Sequence, residues 1–332
     1  MPAVSMRATA WCRVDLAGGT LDIWPLGVMI PHARTVNVAL DLEVTAEIAP
    51  AAAGYLVRQG DVAVRADSPA ELAAHPEAGL AGQVAAALDL PPLTASLASR
   101  SPRGGGLGAS SALTVALIAA AEAAFDLPPT LPAAKARLAR DLEARLMRLP
   151  TGMQDHYAAL LGGALEIAQL PGGERVRRLQ VSLDVLAASL LVVYSGQSHF
   201  SAGQNWQAIR SYLDGDRHTA GLLDGISGAA TELGAALEAG DLARVGALMT
   251  REWRFRRQLA EGASTPSIER LLDAAGTLGA WGGKACGAGG GGCVALLCPP
   301  EKKQAIAERL HQAGGRVLDT RPTGEALRLE AL

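Results

Sequence analysis

Glycine in this chain is bunched, and the bunching limits the possible folds more than any other feature of the sequence. Pairs stand at Gly18-Gly19, Gly162-Gly163 and Gly282-Gly283, and longer clusters fill 104–108 and 287–292. Glycine tolerates positive φ and lets one backbone approach another, so such clusters between apolar segments mark loops that turn sharply or press closely on something. The apolar segments around them are short and β-branched, and they predict strands over 34–48, 55–59, 93–99, 165–170, 190–195 and 293–298. Helices are expected between them. The stretch 110–125 is apolar on nearly all sides and predicts a buried helix. The stretch 131–149 sets Leu138, Leu142, Leu146 and Leu149 three or four residues apart, which predicts a half-exposed one. Further helices are expected over 201–213, 221–238, 242–259, 267–277 and 300–313.

Strands and helices mix in the first half, helices dominate the second, and strands return near CVALLC and GGRVLDT. That order predicts an α+β protein and not a regular βαβ alternation. A length of 332 residues suffices for two cores, and the loop QLPGGERVRR sets a division into 1–178 and 179–332. The formal net charge of -3 leaves no broad basic field for nucleic acid. The most apolar run, ALTVALIAAAEAAF, carries Glu122 and is too short to span a bilayer, so a soluble, cytoplasmic protein is expected. Cys12, Cys286, Cys293 and Cys298 form no CxxC pair, and they read as small apolar residues instead of a zinc site or a disulfide framework.

The segment PRGGGLGASSA, 102–112, follows one predicted strand and opens a predicted helix. A helix N-terminus exposes unpaired N–H groups and the positive end of its dipole, so an anion is drawn there. Gly104, Gly105, Gly106 and Gly108 would let backbone wrap a phosphate, and Ser110 and Ser111 would cap the helix, donate to phosphate or bind Mg²⁺. The same residues suit a plain Gly-rich turn with a Ser cap. No GxxxxGK[ST] string occurs. Gly104-x-Gly106-x-x-Ala109 has dinucleotide-type spacing but lacks the acidic residue expected at the end of a second strand, and Gly287-x-Gly289-x-x-Gly292 runs into a strand.

Three further segments accompany this loop: CRVDLAGGTLD at 12–22, LPTGMQDHYAALLGGA at 149–164 and GGKACGAGGGGCVALL at 282–297. In this order the four resemble the motifs of the GHMP kinase family, which includes galactokinase, homoserine kinase and mevalonate kinase. Within it the chain is most similar to bacterial D-glycero-D-manno-heptose 7-phosphate kinases, through GLGxSS at 106–111, QDxYA at 154–158, EWxxRRxL at 252–259 and GGKxxGAGGGG at 282–292. The resemblance implies a two-domain fold, with an N-terminal ribosomal-protein-like α/β domain and a C-terminal ferredoxin-like α+β domain. It implies ATP and Mg²⁺ as cofactors, a sugar or sugar phosphate as the small-molecule partner, and a monomer or homodimer.

The resemblance also implies roles. Asp155 matches the aspartate that takes the acceptor proton, and Arg13 the arginine that contacts it or the transferred group. Pro102, Gly104, Gly105, Gly106, Leu107, Gly108, Ala109, Ser110 and Ser111 match the nucleotide loop. Glu143 with Ser110 matches the metal ligands. Asp22, Gly18, Gly19 and Thr20, with Gly287, Gly289 and Gly290, match the acceptor side. Local sequence reads some of these differently: Asp155 as a helix cap, Arg13 as a surface residue on a strand, Asp22 as a turn residue and Glu143 as a solvated helix face. Lys284 suits a phosphate contact or a structural role equally, and His156 and His199 are not needed by the mechanism. Galactokinases carry an acid–His pair where Gly19-Thr20 stand here, which argues against galactose, and the segment 24–34 is expected to choose the acceptor. A kinase for a non-sugar alcohol and a non-catalytic nucleotide- or sugar-binding regulator are the competing readings.

Overall fold

The computed structural model describes residues 4–198 and 202–332. In chain order the first part runs β1 (Met6–Ala17), α1 (Leu26–Met29), β2 (Arg34–Pro50), β3 (Tyr55–Gln59), β4 (Val62–Ala66), α2 (Pro69–Ala74), α3 (Gly79–Ala87), β5 (Leu93–Ser99), α4 (Ala109–Ala124), α5 (Pro132–Met147), α6 (Gln154–Leu161), β6 (Ala164–Leu170) and β7 (Gly173–Arg178). The rest runs α7 (Leu183–Ser189), β8 (Leu190–Tyr194), α8 (Ala202–Leu213), α9 (Arg217–Glu238), α10 (Leu242–Arg256), α11 (Pro266–Thr277), β9 (Gly282–Ala285), β10 (Cys293–Leu297), α12 (Lys303–Gln312), β11 (Arg316–Val317) and β12 (Arg328–Ala331).

Two sheets result. The first has the order β12-β1-β2-β5-β3-β4, with β6 paired to β2 and β7 to β6. The length of β2 makes this possible: its first residues pair with β6, its last with β5, and β1 lies along its other edge. The second sheet is antiparallel with the order β11-β8-β10-β9. Numbered within that sheet, the order is 4-1-3-2, which is the ferredoxin-like arrangement expected from the motifs. The final strand, β12, leaves the second sheet's neighbourhood and pairs with β1.

β1 falls outside the strands that apolar alternation predicts, because from Ala8 onward it is buried on both faces, and Arg13, expected at the surface of a strand, lies on it buried. Helix α4 is buried nearly all round, as its composition predicts, and packs on β1, β2, α5 and α6. Helix α5 departs from its leucine stripe. Its buried face is Lys135, Ala136, Ala139, Leu142 and Glu143, while Leu146 is 40% exposed. The small side chains of Ala136 and Ala139 share that face with Leu142, while Leu138 is half-buried against the core and Leu146 turns outward. Helix α9 begins four residues before the predicted Gly221 because the Asp216 carboxylate accepts from the His218 and Thr219 N–H groups. All four cysteines are free and buried, and burial pushes the Cys12 and Cys286 thiols up to about 12. No helix of the described residues is long and apolar enough to cross a membrane.

Between α4 and α5 lies a buried ion pair. Lys135 Nζ donates to Glu122 Oε2 at 2.6 Å, and Glu122 Oε1 accepts from the Thr130 N–H at 3.2 Å. Removing one member of such a pair strands the other charge, whereas removing both with apolar residues does not. Lys135→Met alone should therefore lower unfolding stability by about 3–5 kcal/mol in urea denaturation, and Glu122→Leu/Lys135→Met should recover most of the loss.

Candidate active site

The site is built around Arg13 on β1. Its backbone N–H donates to Leu107 O at 2.9 Å, which lays the first glycine loop along the strand. Its Nη1 donates to Gly106 O at 2.6 Å and its Nε to Asp155 Oδ1 at 2.7 Å, while Nη2 lies 2.6 Å from the same oxygen. Arg13 is 4% exposed. Burial works against its charge, but Asp155 and Asp15 outweigh burial and hold the guanidinium above its ordinary pKa. Asp155 sits in the first turn of α6 with its side chain 23% exposed, so one face of the carboxylate remains open. Gly108 makes this approach possible, since a Cβ there would lie 3.1 Å from the Asp155 carboxyl group.

Gly108 also sets the start of α4. It is the N-cap residue at φ 74°, and no described side chain caps the helix. The sequence predicts a helix that opens at Ser110, with the serines able to cap it. The helix instead starts at Ala109, because the left-handed glycine turns the chain directly into it. Ser110 is exposed on the first turn, while Ser111 is buried and donates to Glu143 Oε2 at 2.9 Å. Pro102 and Gly104 stand at the outer part of the loop, and Leu107 is buried beneath it.

The two glycine clusters pack on each other. A Cβ on Gly106 would come within 2.6 Å of Cys286 O, and one on Gly292 within 2.8 Å of Gly104 O and Gly105 O. The Cys293 N–H donates to Gly105 O at 2.8 Å. Several glycines expected to make room for an anion thus make room for protein backbone. Gly287, at φ +68°, lies against Gly106. A Cβ on Gly289 would overlap the Ala263 carbonyl, which also accepts from the Gly290 N–H at 2.6 Å.

Asp22 caps the helix that carries Asp155. Its Oδ2 accepts from the N–H groups of Met153 and Gln154 at 2.7 and 2.9 Å. Burial, followed by the nearby Asp155 charge, raises the Asp22 pKa despite those two bonds. The preceding turn, Gly18, Gly19 and Thr20, is buried and held from the second half of the chain. Arg256 on α10 donates to Gly19 O at 2.6 Å, to Thr20 Oγ1 at 3.0 Å and to Glu252 Oε1 at 2.5 and 2.8 Å. Lys284 on β9 is fully buried and donates to Asp15 Oδ2 at 2.7 Å, with Glu252 Oε1 at 3.4 Å. Lys284 is therefore engaged inside the protein and does not reach outward to a phosphate. Burial pushes Asp15 up, but Lys284, Arg256 and Arg13 together hold it below its ordinary value.

Glu143 does not lie on a solvated face. It is 3% exposed, and its carboxylate meets Ser111, Thr114 Oγ1 at 3.3 Å and His156 Nε2 at 3.0 Å. Burial raises its pKa, but His156, Ser111 and Ser110 outweigh burial and bring it below the usual 4.5. The set of one carboxylate and the Ser110 hydroxyl beside a helix N-terminus is all hard oxygen, which fits a Mg²⁺ ion completed by phosphate and water. His156 is fully buried against Glu143, a packing position, and His199 lies outside the described residues. The segment 24–34 turns Leu26 and Ile30 inward against Ile209, Leu223 and Ile226, and leaves Trp24, Val28 and Met29 exposed.

Local sequence missed Asp15, Glu252 and Arg256. The one local signal was Glu252 standing four residues before Arg256 in EWRFRR, the spacing of an ion pair on one helix face. It missed Gln204 and Asn205 as well, which reach the Thr20 turn from α8.

Known protein families match both parts of the chain. The model "GHMP kinases N terminal domain" matches residues 75–163, and "GHMP kinases C terminal" matches 234–316. A mevalonate kinase of Thermococcus sibiricus is 31% identical over 245 residues, 72% of this chain and 69% of that protein. A D-glycero-alpha-D-manno-heptose 7-phosphate kinase of Campylobacter jejuni is 28% identical over 242 residues, 71% of each. Among solved structures, a D-glycero-D-manno-heptose 1-phosphate kinase from Bacteriodes thetaiotaomicron superposes with a TM-score of 0.79 at 20% identity, covering 98% of this chain and 99% of that one.

A carboxylate whose folded pKa is depressed adds stability above its unfolded pKa, and that stability is lost as pH falls through the folded value. With chelator present, wild type should be more stable than Glu143→Gln near pH 6, and denaturant titrations should show the margin shrinking as pH falls below about 4.5. A margin independent of pH would mean that the Glu143 charge contributes nothing.

Proposed function

This chain belongs to the GHMP kinase family, and from that premise we propose that it transfers the γ-phosphoryl group of ATP to a hydroxyl of a sugar or sugar phosphate. The observation that carries the reading is the Arg13–Asp155 pair at 2.6–2.7 Å, set beside the uncapped start of α4. In this reading Asp155 accepts the proton of the acceptor hydroxyl as its oxygen attacks. Arg13 holds the carboxylate in place and offsets charge that develops at the transferred group. The N–H groups of α4's first turn, the first glycine loop and Ser110 bind phosphate oxygens. Glu143 and Ser110 would hold Mg²⁺, which supplies charge neutralisation at the phosphates when bound. The acceptor lies between the turn 18–22 and the second glycine loop at 287–290.

We assign the nucleotide side to residues 1–178 and the remainder to 179–332, and place the protein in the cytoplasm as a monomer or homodimer. The heptose phosphate kinases among its relatives, and the QDHYA and EWRFRRQL strings, support a sugar acceptor. A second reading, phosphorylation of a non-sugar alcohol, is supported by the mevalonate kinase of Thermococcus sibiricus. A panel of sugars, sugar phosphates and mevalonate with Mg·ATP, read as ADP release, separates the two.

Asp155→Asn should lower kcat by about 10²–10⁴-fold, because it removes the base while keeping an oxygen for Arg13. ATP should still raise the variant's melting temperature, because the phosphate loop is untouched. Turnover near the wild-type rate would remove Asp155 from this role.

A further inference from the structure

A narrow crevice joins the elements assigned to the acceptor. Thr20 from the turn after β1, Gln204 and Asn205 from α8, Arg256 from α10, and Ala263 and Ala288 beside the second glycine loop line it. We propose that Gln204 and Asn205 read a hydroxyl of the acceptor here, and that the acceptor is an uncharged sugar or polyol. The inference rests on the kinase reading above and narrows its substrate class.

Charge is the first argument. Among the described residues that line the crevice, Arg256 alone is ionisable. All three of its nitrogens are engaged by Glu252, Gly19 O and Thr20. The cations behind it are engaged too, Lys284 by Asp15 and Arg13 by Asp155. A phosphate or carboxylate entering here would lose water and meet no free counter-charge among the described residues, which is costly.

Size is the second. The crevice has a volume of about 10 Å³, room for a single water or hydroxyl and none for a phosphoryl group.

Hydrogen-bond polarity is the third. A guanidinium only donates, so Thr20 Oγ1 accepts from Arg256, and its own proton goes to Asn205 Oδ1, 2.7 Å away. That fixes the Asn205 amide with its N–H₂ group free to donate. The neighbouring Gln204 Oε1 is buried and has no partner among the described residues. One free donor group and one free acceptor side by side complement a hydroxyl, which both donates and accepts. A phosphate or carboxylate, which only accepts, would face Gln204 Oε1 unfavourably.

The test uses the full chain with Mg·ATP and matched acceptors: free hexoses and heptoses, their terminal phosphates, polyols and mevalonate. ADP release should give a free sugar or polyol a kcat/KM at least about tenfold above its phosphate or mevalonate, the worth of one lost hydrogen bond. Gln204→Leu should raise the acceptor KM about tenfold and leave the ATP KM unchanged. Gln204→Lys adds a cation and should move the preference toward the phosphorylated acceptor, which a merely misfolded variant would not do. A wild-type preference for a sugar phosphate overturns the inference while the sugar-kinase reading stands, as does an unchanged acceptor KM in Gln204→Leu; a preference for mevalonate overturns both the inference and the sugar reading. Absence of turnover with every acceptor overturns the inference and the kinase reading.

Discussion

A guanidinium buried away from water has to find partners for its N–H groups, and the partners of Arg13 organise the centre of this molecule. One is Gly106 O on the first glycine loop, and the other is the Asp155 carboxylate on α6. The strand, the loop and the helix are thereby tied to one side chain. Moving any of the three would leave a buried charge partly unpaired. The same contact places a carboxylate with one open face next to a helix start whose N–H groups lack a side-chain cap, and the proposed chemistry needs that juxtaposition.

The second half of the chain is held to this centre in two ways. One is contact between glycine loops, where Gly106 meets the Cys286 carbonyl and Gly292 meets the carbonyls of Gly104 and Gly105. The other is a buried set of alternating charges, Asp15, Lys284, Glu252 and Arg256, which also grips the Gly19-Thr20 turn. Removing one member of such a set strands the charges left behind, so each holds the others in place. Asp22 extends the grip, since the turn that Arg256 holds leads to the carboxylate that caps α6.

Much of the fold was legible in local pattern. The strands over 93–99 and 55–59 and the buried helix after the first glycine loop follow from β-branched runs and unbroken apolar character. The departures share a cause. Helix α5 turns alanines inward because a neighbouring helix approaches closely there. Glu143 and Lys284 are buried because partners outside their own helical turn or strand satisfy them, Ser111 and His156 beside Glu143 and Asp15 beside Lys284. β1 carries no alternation because both of its faces are covered. None of these neighbours is visible within a window of a few residues.

By itself the sequence determined the element types and the order of the four motifs, and through that resemblance the family and the candidate roles of Asp155 and Arg13, because backbone preference and motif spacing are local properties of the chain. Tertiary structure alone decided which glycines face protein and which lie at the surface. It also decided that Lys284 and Arg256 look inward, and that Gln204 and Asn205 stand at the Thr20 turn. Those outcomes depend on which charges and carbonyls meet across more than a hundred residues, and on burial that makes each meeting obligatory.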